Sequence, residues 1–407
     1  MNETPVANRL HIGIFGKRNT GKSSFLNRIT NQDISIVSEV PGTTTDPVNK
    51  TMEIRGLGPV VLFDTAGLDD SGPLGEMRME KTRQVLNRIN LAVLVTAYSI
   101  FDDREKELIN QFKSKKLKFL LVFNKMDLEK KKDELVEYLK KEDITFLDTS
   151  CTLNSNIDRA REEIVRIGAD IMVEKDTIIG DLIQQGDTII LVVPIDLGAP
   201  KGRLILPQVQ VIRDIIDNDA VALVIKEREL DYVLKQIKIM PRLVICDSQV
   251  VLKVTADLPV SIKMTTFSIL FSRLRGDLAY FVRNARLIDS LQDNDKVLIL
   301  EACTHHDLQD DIGRVKIPRW IRQYTGRNII FNVNAGPFLN KDLSVYKLVI
   351  TCGGCMINRQ EMQNRIKQAQ ALSVPMTNYG VAISYVQGVL KRALSPFPFE
   401  LSMLEKD

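Results

Sequence analysis

Gly16-Lys17-Arg18-Asn19-Thr20-Gly21-Lys22-Ser23 follows the apolar run Leu10 to Phe15 and precedes Ser24-Phe25-Leu26-Asn27-Arg28-Ile29. A strand, a glycine loop and a helix in that order make a phosphate-binding loop, because glycines let backbone N–H groups close around phosphate oxygens at the positive end of the following helix. Lys22 is then expected to neutralise the β- and γ-phosphates, and the Ser23 hydroxyl to take one coordination place on Mg²⁺. Gly16, Asn19, Thr20, Gly21, Lys22, Ser23 and Ser24 are the candidate nucleotide contacts of this loop.

Two further stretches extend the phosphate reading. Pro41-Gly42-Thr43-Thr44-Thr45-Asp46 lies before the extended run Thr51 to Arg55, and Thr44 is the threonine expected to complete the Mg²⁺ shell once a γ-phosphate is present. Val60 to Phe63 reads as a buried strand ending in Asp64-Thr65-Ala66-Gly67, with the Asp64 carboxylate facing the metal and Gly67 bringing its N–H to the γ-phosphate. Lys22, Thr44, Asp64 and Gly67 are thus the candidate catalytic set, with Ser23, Thr44 and Asp64 as the Mg²⁺ ligands.

Asn124-Lys125-Met126-Asp127, directly after the apolar run Lys118 to Phe123, reads the base. A carboxylate at Asp127 accepts from both the ring N–H and the exocyclic amine of guanine, and adenine offers no such pair of donors, so GTP and GDP are expected rather than ATP. Thr149-Ser150-Cys151, after Ile144 to Leu147, is the last loop expected near the base, through the backbone of Ser150 and Cys151, with the Cys151 side chain a small buried group.

Length and composition bound the rest. A chain of 407 residues makes about two to four domains, and 44% apolar with 26% charged residues is ordinary globular composition. A formal net charge of +3 gives no case for a nucleic-acid or membrane partner. Residues 1 to 9 lack a charged start followed by an apolar core, and no apolar run reaches the roughly 18 residues that span a bilayer. A cytoplasmic location is expected. Five cysteines, an odd count, argue for metal or redox use over a disulfide framework.

The fold expected is α/β: a phosphate-loop domain over residues 1–168, then two smaller α/β domains with largely parallel sheets, 175–262 and 263–407. In the middle segment Thr188 to Val193, Ala220 to Ile225 and Arg242 to Ile245 alternate with Pro207 to Ile216 and Glu229 to Ile237 at helical spacing. So small a block covers both faces of its sheet poorly, which makes pairing with a second copy, a homodimer, the expectation. Cys246, alone at a strand end, reads as buried.

In the last segment Lys296 to Glu301 ends in Ala302-Cys303-Thr304-His305-His306, and Tyr346 to Thr351 ends in Cys352-Gly353-Gly354-Cys355. Both groups leave the C-terminal ends of strands, where open α/β sheets place ligands, and there they can converge. Three cysteines suit an iron-sulfur cluster better than structural zinc, which favours four closed ligands. His305, His306, a carboxylate or water would be the weaker fourth ligand. Asn358 with Glu361 is placed to cap a helix from Arg359 to Leu372, near those thiolates.

The five nucleotide motifs resemble the TrmE, Era and EngA group of bacterial GTPases over about the first 165 residues. Where Ras-like enzymes carry a water-positioning glutamine, Leu68 follows Gly67, so intrinsic hydrolysis is expected to be slow. The potassium-dependent members of that group carry an asparagine where Asn19 stands, which implies a K⁺ ligand. The whole chain resembles the maturation GTPase of di-iron (FeFe) hydrogenases, whose cluster pattern is Cys-x-His, a long gap, then His-Cys-x-x-Cys. Cys303-Thr304-His305 and Cys352-Gly353-Gly354-Cys355 match it, whereas Thr351 stands where that pattern has its second histidine. The resemblance implies a scaffold for a 4Fe-4S cluster and a transient di-iron precursor with CO, cyanide and a dithiolate. It would receive the precursor through two radical-SAM maturases and pass it to apo FeFe-hydrogenase. The alternatives are an RNA-linked GTPase and a redox-sensing GTPase using Cys352 and Cys355.

Overall fold

The computed structural model describes residues 5–30, 49–64, 82, 84–130, 132–173, 177–194, 204–302, 311–336 and 342–404. The chain forms two compact units, 1–175 and 176–407. Among the described residues no helix is long and apolar enough to cross a membrane.

The first unit is built on a six-stranded sheet in the order β2-β3-β1-β4-β5-β6. These strands are β1 (Leu10–Phe15), β2 (Asn49–Ile54), β3 (Gly58–Asp64), β4 (Leu91–Thr96), β5 (Lys118–Phe123) and β6 (Phe146–Asp148). All neighbours are parallel except β2 and β3. Every residue of β1 and β4 is buried, as in strands covered on both faces. One face packs on α1 (Lys22–Thr30), through Phe25, Leu26 and Ile29, and on α4 (Ile157–Val173). The other face meets α2 (Asp103–Ser114) and α3 (Asp133–Lys141), where Phe15, Phe63, Phe112 and Phe123 form an aromatic core. The helix α2 opens with a reciprocal cap: the Asp102 side chain accepts from Arg104 N, and Glu105 from Asp102 N.

The second unit carries two four-stranded sheets, β10-β9-β7-β8 and β12-β11-β13-β14. The first comprises β7 (Thr188–Val192), β8 (Val221–Ile225), β9 (Leu243–Cys246) and β10 (Lys263–Thr266); the second β11 (Lys296–Glu301), β12 (Ile330–Ala335), β13 (Leu348–Thr351) and β14 (Met376–Asn378). All their pairings are parallel. The first sheet runs past residue 262, the boundary drawn from the sequence, because Lys263–Thr266 pairs with β9. That strand is four residues long, with a lysine and two threonines, too short and too polar to stand out as an apolar run. Both sheets feed one apolar core.

From β10 the chain turns at once into α8 (Phe267–Arg275), capped by Thr266 Oγ1 accepting from Ile269 N at 3.1 Å. The helices α5 (Leu206–Asp217), α6 (Leu230–Gln236), α7 (Val251–Asp257) and α9 (Leu278–Ala285) complete the first half of the unit. In the second half α10 (Ile317–Thr325), α11 (Arg359–Ala371) and α12 (Tyr379–Val386) cover the other sheet. Cys246 is fully buried at the end of β9, and burial pushes its thiol well up from the ordinary value.

Candidate functional site

The phosphate loop is shaped by two glycines that no other residue replaces. At Gly16 (φ +142°) a Cβ would lie 2.0 Å from Val95 O, and at Gly21 (φ +89°) one would lie 2.2 Å from Asn124 Nδ2. Between them Asn19 takes the left-handed conformation (φ +62°), which asparagine tolerates. Thr20 is fully buried and its hydroxyl donates to Lys17 O at 3.0 Å. Lys22 Nζ donates to Gly16 O at 2.8 Å and to Lys17 O at 2.6 Å, which holds the ammonium within the ring of the loop. Ser23 and Ser24 open α1 and are exposed.

Asp64 ends β3, where Ile14 of β1 is its register partner two residues before Gly16. Parallel pairing therefore brings the strand end carrying Asp64 beside the phosphate loop. Thr44, Gly67 and Leu68 lie outside the described residues.

The base-reading loop is bound to the phosphate loop through Asn124. Its side-chain nitrogen donates to Thr20 O at 3.0 Å, and its side-chain oxygen accepts from Cys151 N at 3.2 Å. Met126 N donates to Thr149 O at 3.0 Å, which ties the same loop to the last one. Asn124 is thus a strut linking three loops, and Asp127, three residues on, is exposed. Lys125 has φ +62°. Ser150 is buried and its N–H donates to Ser155 O at 3.1 Å, so a base would have to share the backbone donors of Ser150 and Cys151 with partners they already hold. Burial pushes the Cys151 thiol up.

In the second unit Cys352 leaves the end of β13, and its Sγ accepts from Ala302 N at 3.2 Å. Ala302 is the residue before Cys303, so the two strand ends do come together there. Cys303, His305 and His306 lie outside the described residues, among which no three His, Cys, Asp or Glu side chains gather into a metal-binding group. Burial raises both thiols, Cys355 to about 11, while the Arg275 guanidinium beside Cys355 opposes the shift. Arg275 is itself 2% exposed and donates from α8 to the carbonyls of Gly354 and Ile357 on either side of Cys355. Burial lowers its pKa to about 10. A sulfur that accepts a backbone N–H, beside a buried cation, is a setting that suits an anionic thiolate-bound cluster. The donor set fits.

Thr351 is fully buried in β13. Asn358 caps α11 by accepting from Glu361 N at 2.9 Å, while the Glu361 carboxylate turns to Arg365 at 3.0 Å. Sequence reasoning passed over Arg275, the last residue of α8, where burial obliges a cation to find a partner on folding. It also passed over Lys17, which carries no motif signal.

A family model for the hydrogen maturase F dimerization domain matches residues 178–276, one for its tetramerization domain matches 279–396, and one for a 50S ribosome-binding GTPase matches 11–125. The chain is 37% identical over 121 residues to the tRNA modification GTPase MnmE of Desulforamulus reducens, covering 29% of this chain and 26% of that protein. It is 33% identical over 176 residues to the GTPase Der of Kosmotoga olearia, covering 40% of this chain and 39% of that protein. The G domain of the T. maritima FeoB iron transporter is 23% identical with a TM-score of 0.31, covering 39% of this chain and 98% of that one. The chain thus spans well under half the length of these curated relatives. The first unit is a P-loop GTPase domain, and the α/β fold with further, mostly parallel sheets is as expected from the sequence. With two models specific to one family following each other behind that domain, the chain belongs to the hydrogen maturase F family.

Proposed function

We propose that this chain hydrolyses GTP and serves as a scaffold in hydrogenase maturation, carrying a 4Fe-4S cluster and a di-iron cargo that it delivers to apo FeFe-hydrogenase. The observation that carries this reading is the contact of Ala302 N with Cys352 Sγ at 3.2 Å, which brings the strand end preceding Cys303 onto the Cys-x-x-Cys loop. Cys303, Cys352 and Cys355 would hold the cluster, leaving one position to a weaker group such as His305. When bound, the cluster supplies an exchangeable iron site on which the cargo can rest.

In the GTPase domain Lys22 would meet the β- and γ-phosphates, Ser23, Thr44 and Asp64 the Mg²⁺, and Gly67 the γ-phosphate. Asp127 would select guanine, and Asn19 would hold K⁺. Hydrolysis would be slow, with Leu68 in place of a water-positioning glutamine. The free thiols of Cys151, Cys246, Cys352 and Cys355 suit a reducing cytoplasm. Self-association follows from the two matched domain types, with β8 as a candidate seam: it is an edge strand whose Val221 and Val224 are 55% and 42% exposed. Two radical-SAM maturases would load the cargo.

The test is iron and acid-labile sulfide content of the anaerobically purified chain, followed by its ability to activate apo FeFe-hydrogenase after exposure to the maturases. Expected are about four irons per chain and GTP turnover in the same sample. A colourless, iron-free chain that still hydrolyses GTP would favour the redox-sensing or RNA-linked alternatives.

A further inference from the structure

We propose that Lys17 is a positioning residue for the nucleotide, fastening the phosphate loop to a brace, residues 97–105, that also holds the base-reading side. Its side chain is almost completely enclosed, with the residue 8% exposed. Its Nζ lies 2.7 Å from Asp102 Oδ2, 2.7 Å from Glu105 Oε2 and 2.8 Å from Ile100 O. Three acceptors use all three ammonium donors, so the side chain has one geometry.

The same residue organises the inner side of the loop through its backbone. Lys17 O accepts from Lys22 Nζ and from Thr20 Oγ1. Lys17 is therefore gripped from outside by two carboxylates and in turn orients the lysine that the phosphates need.

The brace reaches the other half of the site. Tyr98 stacks on Phe123 at 4.2 Å and 10°, and its hydroxyl donates to Asp148 at 2.8 Å. Ser99 donates to Glu129 from its backbone N at 2.8 Å and from its hydroxyl at 2.6 Å. Phe123 precedes Asn124 and Glu129 follows Asp127 by two residues, so these contacts flank the base-reading loop. One short segment thus holds the phosphate loop at one end and the base loop at the other, and Lys17 is its ionic fastening. Glu105 is fully buried and burial pushes its carboxyl up, an effect the Lys17 ammonium opposes. Removing that ammonium leaves a buried carboxylate without its counter-charge, and the carboxylate must take up a proton or move.

The experiment uses the full chain, with Lys17→Met, Lys17→Arg, Asp102→Asn and the double variant Lys17→Met/Asp102→Asn. The readouts are the Kd for a fluorescent GDP analogue, KM and kcat for GTP, and the melting temperature. Lys17→Met should weaken GDP binding and raise KM about tenfold, the order expected for a lost charge-assisted contact, while kcat changes by less than about threefold. Lys17→Arg should recover most of the affinity, and the double variant should be no worse than Lys17→Met, since both remove one interaction. If Lys17→Met melts earlier but binds GDP as the parent does, the contact is only a structural anchor and the proposal fails. Should Lys17→Met not fold, Asp102→Asn decides alone: Asp102 is exposed and Asn keeps the oxygen that caps α2, so the fold stays intact, and unaltered GDP affinity there overturns the proposal.

Discussion

The side chain of Asn124 donates to the carbonyl of Thr20 at 3.0 Å, across 104 residues of chain. That bond ties the base loop to the phosphate loop, and Gly21 is a point where they nearly touch. Gly21→Ala places a methyl against Asn124 Nδ2 at a φ that side chains disfavour, so either the bond to Thr20 or the loop has to give. GDP affinity should fall at least about tenfold, with a smaller loss in Asn124→Ala, which removes the bond without a clash. Equal affinity of Gly21→Ala and parent by titration calorimetry would contradict the strut.

Asn19 carries the second prediction. It is exposed in the phosphate loop at φ +62°, and the resemblance to potassium-dependent GTPases makes it the proposed K⁺ ligand. GTP turnover should be several-fold faster in K⁺ than in Na⁺ at equal ionic strength, and Asn19→Ala should erase the difference. Identical rates in the two salts would remove this role.

How much of this could be read beforehand follows from the range of each interaction. The stretches Leu10 to Phe15, Lys118 to Phe123 and Lys296 to Glu301 match β1, β5 and β11 to the residue, since the middle of a strand buried on both faces is mostly apolar. The phosphate-loop and base motifs were legible for a similar reason: their chemistry depends on neighbours in the chain. What holds them in place was not. Lys17 finds Ile100 83 positions away, and Arg275 finds Gly354 79 positions away, and no local pattern encodes such pairs. The strand Lys263–Thr266 escaped because it owes its state to pairing with β9 and has little apolar content of its own.

His11 gives a pH prediction. It is 2% exposed in β1, and burial lowers its pKa from 6.5 to about 4, helped by the charges of Arg88 and Arg9. Its ring nitrogens face Arg88 O at 3.1 Å and Val6 O at 3.0 Å, which pulls the other way. With the folded pKa below the unfolded one, the unfolded chain binds the extra proton between pH 6.5 and 4. Stability should therefore be full above pH 6.5 and decline as pH falls through that window, by up to about 3 kcal/mol at its acid end. Denaturant unfolding of the full chain at pH 7.5, 6 and 5, with His11→Asn flattening the dependence, is the check. A ring resonance titrating above pH 6.5 would mean that the two carbonyls outweigh burial.

The last prediction concerns the cysteines. Cys352 and Cys355 lie on the loop after β13, held by Ala302 N–H on one sulfur and by Arg275 through the carbonyls of Gly354 and Ile357. On the proposed reading that loop would supply two thiolates, and since two cannot hold a cubane, Cys303 would be the third. Cys303→Ala, Cys352→Ala and Cys355→Ala should each lose most of the iron, whereas His305→Ala should keep it with an altered spectrum, because an exchangeable fourth ligand can be replaced by water. GTP turnover should survive in all four. The nucleotide residues belong to a unit with its own six-stranded sheet and its own core, so a change in the second unit leaves their hydrogen bonds in place. Arg275→Met gives an independent arm, since it removes the buried cation and both carbonyl contacts while leaving every thiol. It should lower iron content and leave GDP affinity as it was. Iron content, absorption and paramagnetic resonance spectra, and GTP turnover are measured on the same preparations. Full cluster occupancy in Cys303→Ala would break the three-thiolate assignment, and loss of GTP turnover in every folded cysteine variant would show that the two sites are not separable.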